Sequence, residues 1–256
     1  MSRRGRRTFL VLGAAAAGYA GLRALPDLWQ PELEYELLAR PAGFRRVAGG
    51  PSSSAYDPFF GMAKQEDPAD LATEQAVRDD LCGALYGGLD PAPGAVPVAL
   101  FSDYYCPYCR VLTKTLARIE AESRGGIAVA WHELPLLGEG SDLAARAALA
   151  AKRQGAYPAF QERLMKSAFR PTDAYLADMA AAIAVDLDRL RADMTGPAVT
   201  EDLRTSSALA RVFGFVGTPA MVIGRTVVQG QADEAAILAI AEEERKENWA
   251  SRCLDT

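Results

Sequence analysis

The chain has 256 residues, half of them hydrophobic, four cysteines and a formal charge of −5. That suffices for one ordinary domain with a sizeable core and an appendage. Arg3, Arg4, Arg6 and Arg7 all precede residue 8, so losing that segment takes the charge from −5 to −9; with no later basic cluster, nucleic acid is not an expected partner.

The N-terminus reads as an address. Arg6-Arg7-Thr8-Phe9-Leu10 precedes an apolar, alanine-rich run to about Leu22. Twin arginines followed by Phe-Leu are similar to a twin-arginine export signal, although four arginines also suit ordinary secretion. Gly18-Tyr19-Ala20 offers a small-x-small cleavage site. The run is short for a span of ~20 residues and Arg23 interrupts it. Residues 1–25 are therefore expected to be a cleaved signal rather than a retained anchor. Either way the domain lies outside the cytoplasm, in a bacterial periplasm, where disulfides persist.

Residues 26–95 form an extension without long-range periodicity, punctuated by Pro26, Pro31, Pro41, Pro51 and Pro58. Gly49-Gly50-Pro51-Ser52-Ser53-Ser54 reads as a loop. A short amphipathic helix is expected around Trp29–Leu38. Another runs from about Pro68 to Leu85, with Leu71, Val77, Leu81 and Leu85 apolar. The segment either packs on the domain or mediates self-association, which leaves the oligomeric state open.

The pattern sharpens at Val96. The run Val96-Pro97-Val98-Ala99-Leu100 reads as a strand buried on both faces. Helical spacing follows, with Val111, Leu112, Leu116 and Ile119 on one face, and Gly125-Gly126 as the stop. Between them stands Phe101-Ser102-Asp103-Tyr104-Tyr105-Cys106-Pro107-Tyr108-Cys109-Arg110. Only a thiolate attacks a disulfide, and unpaired amides at a helix start favour a negative sulfur. Cys106 therefore reads as the attacking thiolate, and Cys109, one turn further in, as the shielded resolving thiol. Pro107 suits the first helical turn. Asp103 could accept a proton from Cys109, although a solvated or helix-capping Asp is the plainer reading. Tyr104, Tyr105 and Tyr108 either form an apolar rim for clients or pack.

Ile127-Ala128-Val129-Ala130-Trp131 is the next buried strand, parallel to the first. Residues 141–213 follow as four or five helices, broken near Gly155, Pro158, Pro171 and Gly196-Pro197. Ala220-Met221-Val222-Ile223 returns to strand, turns at Gly224-Arg225 and pairs with Thr226-Val227-Val228. A helix from Ala232 to about Lys246 closes the domain, assigned to residues 96–250, with 251–256 as a tail. The order β–α–β, helical insertion, β–β–α is α/β, a mixed sheet covered by helices.

Zinc needs about four ligands. Besides the pair, only Cys82, Cys253 and His132 remain, none clustered with another, so no metal and no cofactor are expected. His132 reads as structural. Cys82 and Cys253 are expected to form a disulfide in an oxidising compartment, made after export if export follows folding; two free thiols or an intermolecular bridge are the alternatives.

Three features together resemble the DsbA-like branch of the thioredoxin superfamily over roughly residues 90–247. They are Phe101 to Cys109 at a strand–helix junction, the helical insertion, and Gly217-Thr218-Pro219 before the final hairpin. The resemblance implies a thioredoxin fold with an inserted all-helical subdomain, Pro219 cis beside Cys106, and disulfide exchange on exported proteins. It also implies a partner oxidoreductase in the membrane that resets the thiols. A cis turn there would present the Thr218 backbone to an extended client as an added strand. Thr218, Pro219, Pro107 and Tyr108 are thus the expected client contacts. Strong oxidases of the family carry Pro-His between the cysteines and tend to have Val before the proline. Pro107-Tyr108 and Thr218 lean instead towards a moderate oxidase, isomerase or reductase. The alternatives are a client- or Cu(I)-binding protein without turnover, and a glutaredoxin-like enzyme suggested by Cys-Pro-Tyr-Cys.

Overall fold

A computed structural model describes residues 33–54, 67–167 and 171–247. Residues 1–25, expected to be a signal, and the tail with Cys253 lie outside the described residues. Among the described residues, six strands and nine helices follow one another. They are β1 (Glu36–Leu37), β2 (Arg45–Val47), α1 (Pro68–Asp79), α2 (Leu81–Tyr86), β3 (Val96–Ser102), α3 (Pro107–Glu122) and β4 (Ile127–Glu133). The insertion is α4 (Glu139–Lys152), α5 (Tyr157–Lys166), α6 (Asp173–Ala182), α7 (Leu187–Met194) and α8 (Pro197–Phe213). The hairpin β5 (Ala220–Ile223) and β6 (Thr226–Gln229) leads to α9 (Glu234–Lys246).

The strands form one mixed sheet in the order β1-β2-β6-β5-β3-β4. β3 sits inside it, parallel to β4 (Leu100 beside Trp131) and antiparallel to β5 (Leu100 beside Met221). Every residue of β3 is buried, as a continuous apolar run predicts for a strand covered on both faces. Its side chains alternate between two cores with a period of two. Val96, Val98 and Leu100 meet Leu112, Leu116, Ile237 and Ile240 on one side. Ala99 and Phe101 meet Leu209, Phe213 and Val222 on the other.

Four local readings need correction. Val111 is 53% exposed, because the buried stripe of α3 runs through Cys109, Leu112, Thr113, Leu116 and Ile119, and residue 111 lies roughly 100° away from 112 on the helix. The expected helix over 68–85 is two helices. Asp80 breaks it, since its carboxylate accepts from the Gly83 N–H and restarts the chain as α2. Glu36 and Leu37, expected at the end of a helix, form an edge strand; Trp29 and its neighbours up to residue 32 lie outside the described residues. The extension also supplies β2, parallel to β6, which three residues cannot announce by periodicity.

β2 is held by a buried charge network. Arg45 Nη2 donates to Glu244 Oε1 (2.8 Å), Nη1 to Glu247 Oε1 (2.8 Å), and Nε to Thr226 Oγ1 (2.8 Å). Arg225 Nη2 donates to Glu247 Oε2 (2.7 Å), and its backbone N–H to Glu244 Oε2 (3.1 Å). Among the described residues no helix is long and apolar enough to cross a membrane.

Candidate active site

Cys106 is the N-cap of α3, with extended backbone angles (φ −77°, ψ 118°) and Pro107 at the first helical position. A cap residue offers a side-chain acceptor to the orphan amides of the first turn. Here that acceptor is sulfur, and the Cys109 N–H donates to Cys106 Sγ at 3.3 Å. Both cysteines are reduced thiols and fully buried. They sit among the apolar side chains of the helical insertion, in one cluster with Tyr104, Leu149 and Phe160.

The two thiols differ sharply in acidity. A hydrogen bond from Cys109 Sγ lowers Cys106 to about 6 against the cost of burial, with further lowering by the Ser53 hydroxyl, the Cys109 N–H and Thr218. Cys109 is pushed far up, by burial first and then by the neighbouring Cys106 sulfur. In the reduced protein the shared proton therefore stays on Cys109, and Cys106 carries the charge.

The loop before β5 closes the site. The Thr218–Pro219 peptide is cis, and Cys106 Sγ as a thiol donates to the Thr218 carbonyl at 3.2 Å. The sequence reading left the Thr218 backbone open to a client. It is occupied: the Ser53 N–H donates to Thr218 O (2.7 Å) and the Thr218 N–H to Ser53 O (2.8 Å). Thr218 is wholly buried and its Oγ1 has no hydrogen-bond partner, and Thr218 is among the groups that lower Cys106.

Asp103 lies beside the thiols, its N–H donating to Cys109 Sγ at 3.5 Å. Its carboxylate, however, is taken up by four donors. Oδ1 accepts from Tyr105 N–H (2.8 Å) and Ser141 Oγ (2.7 Å). Oδ2 accepts from Leu136 N–H (2.7 Å) and Leu137 N–H (2.9 Å). This geometry suits an anchor that ties the entrance of the helical insertion to the thiol loop, and it leaves no lone pair turned to Cys109. Pro107 is exposed and Tyr108 half-buried against the insertion. Tyr104 forms no rim: it is 2% exposed and its hydroxyl donates to Glu133 Oε1 (2.6 Å).

Glu133 was not foreseen. Its Oε1 also accepts from Tyr157 Oη (2.6 Å), and burial pushes it up to about 7. With His132 it lines a cavity of about 400 Å³ beside β4 whose walls include neither thiol. His132 itself stacks on Phe101 (centroids 4.7 Å) and donates Nε2–H to the Leu85 carbonyl (3.0 Å); burial holds it down at about 4. That is the structural histidine the sequence suggested. Cys82, half-buried in α2, is disulfide-bonded. Ser53, Ser141 and Glu133 were missed because each reaches the thiol loop from a distant segment. The close-packing pair Gly49-Gly50 was the only local hint of the first.

A model of the DSBA-like thioredoxin domain matches residues 97–240. Among solved structures, a thioredoxin-like oxidoreductase from Silicibacter pomeroyi is 34% identical, with a TM-score of 0.58 over 64% of this chain and 97% of that one. The catalytic domain of Proteus mirabilis ScsC is 28% identical, with a TM-score of 0.56 over 68% of this chain and 98% of that one. A periplasmic thioredoxin-like protein from Salmonella enterica serovar Typhimurium is 27% identical, with a TM-score of 0.53 over 72% and 99%. Among curated proteins, a Na(+)/H(+) antiporter NhaA from Herminiimonas arsenicoxydans is 25% identical over 156 residues. This chain spans only a quarter of that antiporter's length.

Proposed function

Because this chain belongs to the DSBA-like thioredoxin family, we propose that it is a thiol–disulfide oxidoreductase acting on exported proteins through Cys106 and Cys109. The observation that carries the reading is the unequal pair: one thiol at about 6, its partner one turn away and held protonated. In the oxidising direction a client thiolate attacks Cys106 Sγ. The Cys106–Cys109 bond breaks, and Cys109 leaves and takes up a proton. A second client thiolate then attacks the client sulfur of the mixed disulfide, so that Cys106 departs as a thiolate and two electrons stay with the protein. In the reducing direction the Cys106 thiolate attacks a client disulfide and Cys109, deprotonating, resolves it.

The poise follows from the acidity. A thiolate at about 6 stabilises the reduced form less than the strongest oxidants of this superfamily, at roughly 3.5, and more than thioredoxin, at roughly 7. A reduction potential between about −120 and −270 mV is expected, a moderate oxidant, isomerase or reductase. Glutathione titration of the pair tests this, and a value outside the window refutes the poise. Pro107, Tyr108, Thr218 and Pro219 would meet the client, with Val216, 72% exposed two residues before Thr218, widening the apolar margin. The signal-like N-terminus supports a site of action outside the cytoplasm, where Cys253 is proposed as the disulfide partner of Cys82. A membrane oxidoreductase would reset the pair.

A further inference from the structure

The loop after β2 does more than connect. Gly50 N–H donates to Gln231 O (2.9 Å) and Gln231 N–H to Pro51 O (2.9 Å), after which Ser53 makes both backbone bonds to Thr218. The approach is so close that a Cβ on Gly49 would stand 1.7 Å from Gln229 O, and one on Gly217 2.5 Å from Ser53 O. The chain is thus laid down antiparallel to the residue before the cis proline, whose carbonyl also meets Cys106 Sγ at 3.2 Å, and the Ser53 side chain is among the groups that lower Cys106. Serine is cysteine with oxygen in place of sulfur. A client cysteine in this register would bring its sulfur to Cys106 Sγ.

We propose that residues 50–54 are a built-in pseudo-client: they fill the edge that a client strand must pair with, Ser53 stands where the client cysteine reacts, and the segment must be displaced before exchange. This rests on the reading that clients pair with Thr218. It explains why the attacking sulfur is wholly covered although its partners are polar.

The first test is chemical trapping. In a Cys109→Ser background, the Ser53→Cys variant is incubated with reduced and oxidised glutathione. Glutathione disulfide takes the two electrons as the thiol introduced at position 53 and the Cys106 thiol each lose a proton and bond. Peptide mapping is expected to find this disulfide between position 53 and Cys106 at least about 100-fold favoured over the corresponding bridge from Ser54→Cys, whose side chain projects to the other face of an extended strand. Equal yields at 53 and 54 would overturn the register.

The second test releases the segment in otherwise wild-type protein. Ser53→Pro removes the donor to Thr218, and Gly217→Ala pushes from the opposite side. Iodoacetamide alkylation of Cys106 is followed at pH 8.5, well above the value of about 6 in the wild-type chain, with melting curves to confirm folding. Both variants should react about 10-fold faster or more, because the covering segment opens more readily. Unchanged rates in both releasing variants would sink the covering role. If trapping and alkylation behave as expected but no variant exchanges with a peptide disulfide, the segment's role stands and the client reading falls.

Discussion

Two polar constellations are buried in this sheet, and they are built on opposite principles. Around Arg45 and Arg225, Glu244 and Glu247 match charge with charge, and Thr226 Oγ1 accepts from Arg45 while donating to Glu244 Oε1 at 2.6 Å. Around Cys106 the polarity is left incomplete. No charged group bonds the sulfur, Thr218 Oγ1 has no hydrogen-bond partner, and the second thiol is kept protonated. The matched network holds β2 and α9 to the hairpin. The unmatched one surrounds the thiol proposed as the nucleophile.

The contrast can be broken from either side. The largest effect is expected at the thiol: Cys106→Ala should abolish insulin-disulfide reduction and client oxidation together, a loss beyond about 10³-fold. Cys109→Ser should instead accumulate mixed disulfides visible on non-reducing gels. Activity retained by Cys106→Ala would end the assignment. Next, Glu244→Ala strands two buried arginines and should cost about 3–5 kcal/mol in urea unfolding. The alkylation midpoint of Cys106 should stay near 6; if it moved, the two constellations would not be separate.

Asp103→Asn lies between the two kinds. An amide keeps acceptance at one atom but turns an N–H₂ on its other donors, so a loss of about 1–3 kcal/mol is expected, with slower exchange because the thiol loop is no longer tied to the insertion. Exchange that survived unchanged would make Asp103 a support for α4 alone.

The smallest effect is a pH slope. Glu133 holds its proton to about 7 in the folded state and to about 4.3 unfolded, so its contribution to stability falls as pH rises through that window. His132 binds its proton only near 4 when folded and near 6.5 unfolded, so its contribution falls as pH drops through 6.5 to 4. The two oppose each other where they overlap. Glu133→Gln should leave the His132 slope alone, with the melting temperature dropping on acidification from about pH 6.5 to about 4.5 more steeply than in wild type. Parallel curves would show that the two groups do not titrate as stated.

Much of this was legible in advance, for a physical reason. β3, the Cys106–Cys109 turn and α3 depend on neighbours in sequence: an apolar run, a proline at the first helical position, a stripe at helical spacing. Two glycines stand just past the end of α3, as expected. The break at Ile183–Asp186 was missed, because it is made by Ala184 in a left-handed conformation (φ 55°) and by the Asp186 cap, with neither glycine nor proline to mark it.

The sequence by itself thus determined where the Cys106–Cys109 turn stands and what kind of domain carries it, since strand, cap and helix are local affairs. Tertiary structure alone decided the surroundings. Arg45 meets Glu244 across 199 positions, Asp103 spends its carboxylate on a loop beyond the next strand, and Ser53 reaches over a thiol from the far side of two intervening helices and a strand. Such contacts carry no period and no motif. They exist only once the sheet has brought its edges together, and they settle what can reach the sulfur.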